Sequence, residues 1–384
     1  MRFPGFEGEW EVKKLGDVFN ISAGGDIKKE NVRQFRDEKF QFPIYANAEK
    51  NDGLYGYSDL YKIEENAITI AGRGINIGIT HVRDHKFYPI VRLLVLKSLN
   101  KENLTFFMYQ INRINLFKES TGVPQLTAPQ ISGYEVYYPK VSEQQKIASY
   151  LSLMDKRIQT QNKIIEELES LKLTLLNKLF IREIRFKDEN GNNFPDWKEK
   201  KLEEIFYSEK GKGISKNKIT QNGKYRCILY GELYTKYNEV IFEVESKTDT
   251  KDGIKSKVGD LLIPSSTTTT GIDLANVTAL NEENILLGGD ITILRSNEKM
   301  SNIFYAYYLS NHKKEEIASY AQGSTIVHLY YSHIKNMKID FPCFEEQNKI
   351  ANFLLSIDEK IIIKTRLLQQ MQNQKKYLLQ NLFT

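Results

Sequence analysis

Cysteine is nearly absent: Cys227 and Cys343 are the only two in 384 residues. Two thiols build neither a disulfide framework nor a four-thiolate zinc site, and the expected compartment is a reducing cytoplasm. Apolar runs are short. Ile90-Val91-Arg92-Leu93-Leu94-Val95-Leu96 is broken by an arginine and falls well below the ~20 residues of a membrane span. The opening stretch, Met1 to Gly8, lacks the apolar segment of a secretory signal. With Pro 9 and Gly 23 in the chain, collagen-like and low-complexity architectures are excluded. Charge is nearly balanced, at a net +5. That is compatible with a polyanionic partner but does not argue for one. The chain is 41% hydrophobic and 27% charged, as in an ordinary globular protein of two or three domains.

Signatures of chemistry are also missing. The five histidines, His81, His85, His312, His328 and His333, form no HExxH pattern and no Cys/His cluster. A GxxxxGK[ST] phosphate loop is absent, and Gly72-Arg73-Gly74-Ile75-Asn76-Ile77-Gly78 misses the GxGxxG spacing by one. Because no two prolines are adjacent, the Asn-Pro-Pro-aromatic loop of amino-methylating enzymes is missing. Pro195-Asp196 with Glu199 and Lys201 imitates a nuclease motif at too tight a spacing. The expectation is a non-catalytic chain that holds no metal.

What the sequence does contain is itself, twice. Glu143-Gln144-Gln145-Lys146-Ile147-Ala148 returns as Glu346-Gln347-Asn348-Lys349-Ile350-Ala351. At the same offset Pro139 falls on Pro342, Asp155 on Asp358, Lys172 on Lys375 and Leu179-Phe180 on Leu382-Phe383. An earlier echo aligns Trp10 to Leu15 with Trp197 to Leu202, and Phe19 with Phe206. Each repeat therefore has matching ends around a dissimilar middle.

The two matching tails, 141–184 and 342–384, hold no proline or glycine from Val141 to Asn190 and from Cys343 onward, and are helix candidates. Ser142 is a plausible cap for the first. Apolar residues in the first recur in four-three spacing at Ile147, Leu151, Met154, Ile158, Ile165, Leu168, Leu175 and Leu179. In the second they fall at Ile350, Leu354, Ile357, Ile361, Leu368, Met371, Leu378 and Leu382. That is a heptad seam of about five heptads, the pattern of a coiled coil. Gln161 and Lys172 interrupt the first seam where Lys364 and Lys375 interrupt the second, and polar seam residues can fix register and orientation.

The blocks between, 1–140 and 185–341, are expected to be α+β: a small twisted sheet or barrel with helices at its edge. Strands are expected over Phe42–Tyr45, Ala67–Ile70, Ile90–Leu96, Cys227–Tyr230, Leu261–Ile263 and Asp290–Leu294, and helices over Glu102–Phe117 and Ile303–Tyr320. Two loops recur at equivalent places. Ala71 to Gly78 answers Pro264 to Gly271, and Ser120 to Leu126 answers Gly323 to Leu329. Glycines allow close approach, and small hydroxyls and amides suit phosphate or base edges. The candidate contacts to a nucleic acid are Lys28, Lys29, Arg33, Arg73, Asn76, Thr121 and Gln125 in the first block. In the second they are Lys210, Lys212, Lys216, Lys218, Ser266, Thr268, Thr269, Ser324 and His328.

The whole chain resembles the specificity subunits of type I restriction-modification systems. The resemblance rests on Phe3-Pro4 to Trp10 followed by Lys14-Leu15-Gly16-Asp17, on its second copy at Phe194-Pro195-Asp196-Trp197 with Lys201-Leu202, and on the Pro-x-x-x-Glu-Gln-x-Lys-Ile-Ala lead-ins at Pro139 and Pro342. It implies two target recognition domains joined by two long antiparallel coiled-coil helices with pseudo-two-fold repeat. It further implies that the domains read the halves of an asymmetric bipartite duplex-DNA target. The partners it implies are two methyltransferase subunits, which would carry S-adenosylmethionine, and motor-nuclease (restriction) subunits, which would carry ATP and Mg. No cofactor is expected on this chain. The alternative from another class is a non-catalytic coiled-coil scaffold whose domains bind peptide or RNA; a lone methyltransferase or nuclease lacks its motifs.

Overall fold

The computed structural model describes residues 2–48, 50–114 and 125–383. The chain divides into two compact units, Met1–Lys163 with Arg366–Thr384, and Ile164–Thr365. Long helices span Val141–Phe180 and Phe344–Asn381, so each unit holds the start of one and the end of the other.

In the first unit the buried strand Ala67–Ala71 lies between Leu93–Ser98 and Thr80–Arg83, with Phe19–Ala23 on the far side of Leu93–Ser98, all antiparallel. A small second sheet places Phe42–Tyr45 between Leu54–Ser58, antiparallel, and Tyr88–Pro89, parallel. Glu11–Lys14 pairs with Glu135–Tyr138. The helix Leu104–Arg113 is capped by Asn103, whose side chain accepts from Phe106 N, and buries Phe106 and Phe107.

The second unit repeats the plan. Its main sheet runs Phe206–Lys210, Ile291–Ser296, Asp260–Pro264, Thr278–Leu280, again antiparallel. Its small sheet pairs Tyr225–Ile228 antiparallel with Lys247–Thr248 and parallel with Leu286–Leu287. Lys198–Lys201 pairs with Lys338–Phe341. The sequence repeat is thus one plan built twice, with a fourth strand, Ile254–Lys255, added to the second small sheet beside Leu286–Leu287.

Several expected boundaries move, for physical reasons. The strands expected from Ile90 and Asp290 begin at Leu93 and Ile291, because Arg92 and Asp290 take φ 69 and φ 57, which an extended strand excludes. The strand expected over Cys227–Tyr230 lies at Tyr225–Ile228. The helix expected over Glu102–Phe117 is Leu104–Arg113, its tail from 115 lying outside the described residues. The helix expected over Ile303–Tyr320 splits into Asn302–Tyr307, a π turn at Tyr308–His312 and Lys314–Ser319. In that turn the Ser310 hydroxyl takes Val277 N at 2.7 Å and donates to Val277 O at 2.8 Å, fastening it to the sheet. Ser142 is not a cap: the helix starts one residue earlier, with Lys140 O accepting from Glu143 N and Gln144 N.

The sequence echoes acquire roles. Glu143 is buried and accepts from Arg2 at 2.7 Å and from the Trp10 indole at 3.1 Å. Glu346 is buried and accepts from Arg185 at 2.9 Å and from the Trp197 indole at 2.9 Å. Gln144 donates to Pro139 O and accepts from Asn103 N; Gln347 does the same with Pro342 O and Ser301 N. Each Glu-Gln pair thus ties the start of a long helix to the preceding strand, a shorter helix and a remote tryptophan.

Seam positions are buried near the helix ends, at Ile147, Leu151, Met154, Leu179, Ile350, Leu354, Ile357, Leu378 and Leu382. They are half-buried between, at Ile158, Ile165, Leu168, Ile361, Leu368 and Met371. Leu175 is only half-buried, while its neighbour Leu176 enters the core. In the first unit Lys375 is ion-paired with Asp155, which also accepts from Tyr109 Oη at 2.5 Å. In the second, Lys172 reaches Asp358 at 2.8 Å and Glu239 at 2.9 Å, and Tyr307 donates to Asp358.

Candidate nucleic-acid interface

The two recurring loops meet in each unit. In the first, Arg73 forms a β-bridge with Gln125, and Leu126 N donates to Gly72 O at 2.8 Å. In the second, Ser266 pairs with His328 and Thr267 with Val327, and Leu329 N donates to Ser265 O at 3.0 Å. The turn before the neighbouring strand closes the frame: Gly72 N donates to Arg92 O at 3.0 Å, and Ser265 N to Asp290 O at 2.8 Å. A third segment joins by Gly24 N to Leu93 O at 2.7 Å and Gly211 N to Ile291 O at 2.9 Å. Glycine is required at Gly211, where a Cβ would sit 2.1 Å from Gly288 O.

One backbone frame therefore carries unlike side chains. Where the first unit has Arg73, Arg92 and Gln125, the second has Ser266, Asp290 and His328. The Asn47 amide grips the Arg73 backbone on both sides, at 3.0 Å to N and 2.7 Å from O. The Arg73 and Arg92 guanidiniums have no hydrogen bond or ion pair among the described residues. In the second unit His328 Nδ1 is 3.1 Å from Tyr330 Oη, the two rings are stacked, and Lys210 Nζ lies 5.6 Å from the Tyr330 ring centre.

The other candidates divide by what already occupies them. Gln125, Lys212, Lys216, Thr268 and Ser324 are exposed, and Asn76 is half-buried. Lys28 and Lys29 are exposed at the turn Lys29–Asn31, away from the bridged loops in sequence and leading to the small sheet. Arg33 forms a backbone bridge with Tyr57 and lays its guanidinium 4.5 Å from the Phe40 ring centre. Lys218 is engaged by Asp252 at 3.1 Å and by Gly213 O at 3.0 Å. Ser266 leaves the exposed set, since it is buried and donates to Asp290 at 3.1 Å. Thr269 donates to Asp273 at 2.5 Å, which holds that carboxyl below its ordinary range. Thr121 lies outside the described residues.

His81 and His85 turn to different partners, Asp52 at 3.7 Å and Asp84 at 2.9 Å. Among the described residues no group of three or more His, Cys, Asp or Glu is placed to hold a metal, and no helix is long and apolar enough to cross a membrane. Sequence reasoning missed Asn47, Arg92 and Asp290; the offset between the loop echoes gives no sign of the turn that closes the frame.

The two units thus repeat one backbone frame of bridged loops and place different side chains on it. A family model described as "Type I restriction modification DNA specificity domain" matches residues 7–170 and 195–373. The MjaVIII specificity subunit of a type I restriction enzyme from Methanocaldococcus jannaschii is 26% identical over 401 residues, covering 98% of this chain and 92% of that one. A Mycoplasma pneumoniae chain named "Putative type I specificity subunit S.MpnORF507P" is 32% identical over 143 residues, 37% of this chain and 39% of its own length. The solved S subunit of the type I restriction-modification system of M. genitalium matches in fold with TM-score 0.66 at 19% identity, over 100% of this chain and 99% of that one. The chain belongs to this family: it is a type I restriction-modification DNA specificity subunit with its recognition domain repeated.

Proposed function

We propose that each recognition domain, assigned to residues 1–140 and 185–341, reads one half of an asymmetric bipartite site in duplex DNA. The observation that carries this is the bridged-loop frame, present in both units with different side chains. A shared frame suits the common duplex backbone, and divergent side chains suit two unlike half-sites. Arg73, Asn76 and Gln125 are the proposed contacts in one domain; Lys212, Lys216 and Thr268 are those in the other.

The helices over 141–184 and 342–384 form an antiparallel coiled coil within one chain in this reading. The Lys375–Asp155 and Lys172–Asp358 pairs support it, since each joins a residue late in one helix to one early or midway in the other. At about 1.5 Å per residue each helix reaches roughly 60 Å, enough to hold readers about one DNA turn apart, roughly 34 Å. The same helices offer docking for two methyltransferase subunits, with motor-nuclease subunits joining for cleavage. S-adenosylmethionine, ATP and Mg act on those partners, in the cytoplasm, and this chain does no chemistry. The test is to map methylated adenines in the host with and without the gene. One bipartite motif should vanish with it, and alanine at Arg73 and Asn76 should relax a single half. A methylation pattern indifferent to the gene would end the proposal.

A further inference from the structure

The small sheet of each unit is closed by the same bridge and carries a different tip beyond it. In the first unit Tyr57 pairs with both Arg33 and Pro43; in the second Thr248 pairs with both Ile219 and Tyr225. The chain between these anchors is residues 34–42 in one unit and the shorter 220–224 in the other. The longer tip is rigid at both ends. Arg33 exchanges backbone hydrogen bonds with Tyr57 at 2.9 and 2.8 Å. A Cβ on Gly56 would lie 2.6 Å from Arg33 O, so only glycine admits this approach. On the other side Asp37 Oδ1 accepts from Lys39 N at 2.8 Å and Phe40 N at 2.7 Å. Between these clamps stand Gln34, Phe35 and Arg36. All three are exposed, Phe35 at 83%, and none makes a side-chain hydrogen bond, ion pair or ring contact among the described residues.

A single exposed apolar side chain is ordinary. Three consecutive long, unengaged side chains on a fixed turn are a different matter, because the backbone entropy of presenting them is already spent. Their chemistries are those that discriminate base edges in the major groove. Gln pairs bidentately with adenine, Arg with guanine, and an apolar side chain packs on the thymine methyl. Arg36 is the tip's unengaged cation, since Lys39 is paired with Asp59 at 4.0 Å and Arg33 lies over Phe40, and it is the residue able to neutralise a phosphate on approach. The corresponding tip of the second unit, Thr220-Gln221-Asn222-Gly223-Lys224, has no aromatic, so the two units would read different bases.

We propose that Gln34-Phe35-Arg36 enters the major groove of the half-site bound by the first unit and reads its bases, with Phe35 against a thymine methyl. This rests on the reading that this unit binds duplex DNA. The test is selection from randomised duplexes by the full chain, wild type and as Gln34→Ala, Phe35→Ala and Arg36→Ala, with melting temperature as the fold control. Each variant should lose preference at a position within one half-site, by about tenfold for Arg36→Ala, while the other half-site is unchanged. Replacing the selected thymine by uracil should weaken wild type but not Phe35→Ala. Variants that select the wild-type sequence, or that bind all duplexes uniformly more weakly, overturn base reading by the tip while leaving DNA binding intact. A wild-type chain that selects no sequence overturns the underlying reading as well.

Discussion

Glu346 shows what a single buried carboxylate does here. It has no exposed surface and takes hydrogen bonds from Arg185 and Trp197. Glu346→Ala leaves the Trp197 indole N–H without its acceptor and takes one of several from Arg185, which keeps Phe194 O and Pro195 O, so the loss is about 1–3 kcal/mol. Urea unfolding should show the loss, and amide exchange should place it in Ile164–Thr365. Glu239 makes a pH-dependent contribution in the same unit. Burial works to raise its carboxyl, but the Lys172 ammonium and the Asn311 amide outweigh burial and hold it below its ordinary 4.5. Its stabilisation is therefore full above pH 4.5 and is lost as pH falls through the lower folded value. Lys172 is the converse: burial works to lower it, Glu239 and Asp358 outweigh burial, and it stands above 10.5. Its share is held below pH 10.5 and lost at higher pH. Glu239→Gln should flatten the acid limb of a stability-versus-pH curve; an unchanged limb would assign acid unfolding to other groups.

At the scale of elements, the long helices were legible because proline and glycine are absent and apolar spacing persists. Lys172 and Lys375 were legible as seam interruptions, since their positions break that spacing. Their partners Asp155 and Asp358 were visible only as repeat matches, because neither lies on the four-three seam. The strand starts at Leu93 and Ile291 were misplaced because a positive φ at Arg92 and Asp290 leaves no mark in an apolar run. The two locks differ in burial, which sets an expected ranking. Lys172, Asp358 and Glu239 are 12 to 14% exposed. Lys172→Met strands two carboxylates and should cost about 3–5 kcal/mol. Lys375 and Asp155 are 24% and 31% exposed, so Lys375→Met should cost about 1 kcal/mol. Equal losses in denaturant titrations of the two variants would contradict the ranking.

For the molecule as a whole, the repeat separates two kinds of contact. The bridged-loop frame was half legible: its loops echoed in sequence, but their meeting, and the Asn47 clamp beneath Arg73, depend on contacts distant in the chain. A frame common to both units cannot by itself encode two different half-sites. Of the proposed contacts, the lysines Lys212 and Lys216 therefore belong to the sequence-independent part of binding, and the side chains that differ between the units, Arg73 among them, to the sequence-dependent part. Each lysine that neutralises a phosphate releases counterions and steepens the salt dependence by about 0.9 on logarithmic axes. The double variant Lys212→Ala, Lys216→Ala should weaken binding to every duplex alike and reduce the salt slope by about 2. Its selected sequence should stay that of wild type. The measurement is affinity across a salt series on the selected duplex and on a scrambled one. A changed base preference with an unchanged slope would move these lysines from the phosphate backbone to the base edges, and the division of labour between frame and tip would have to be redrawn.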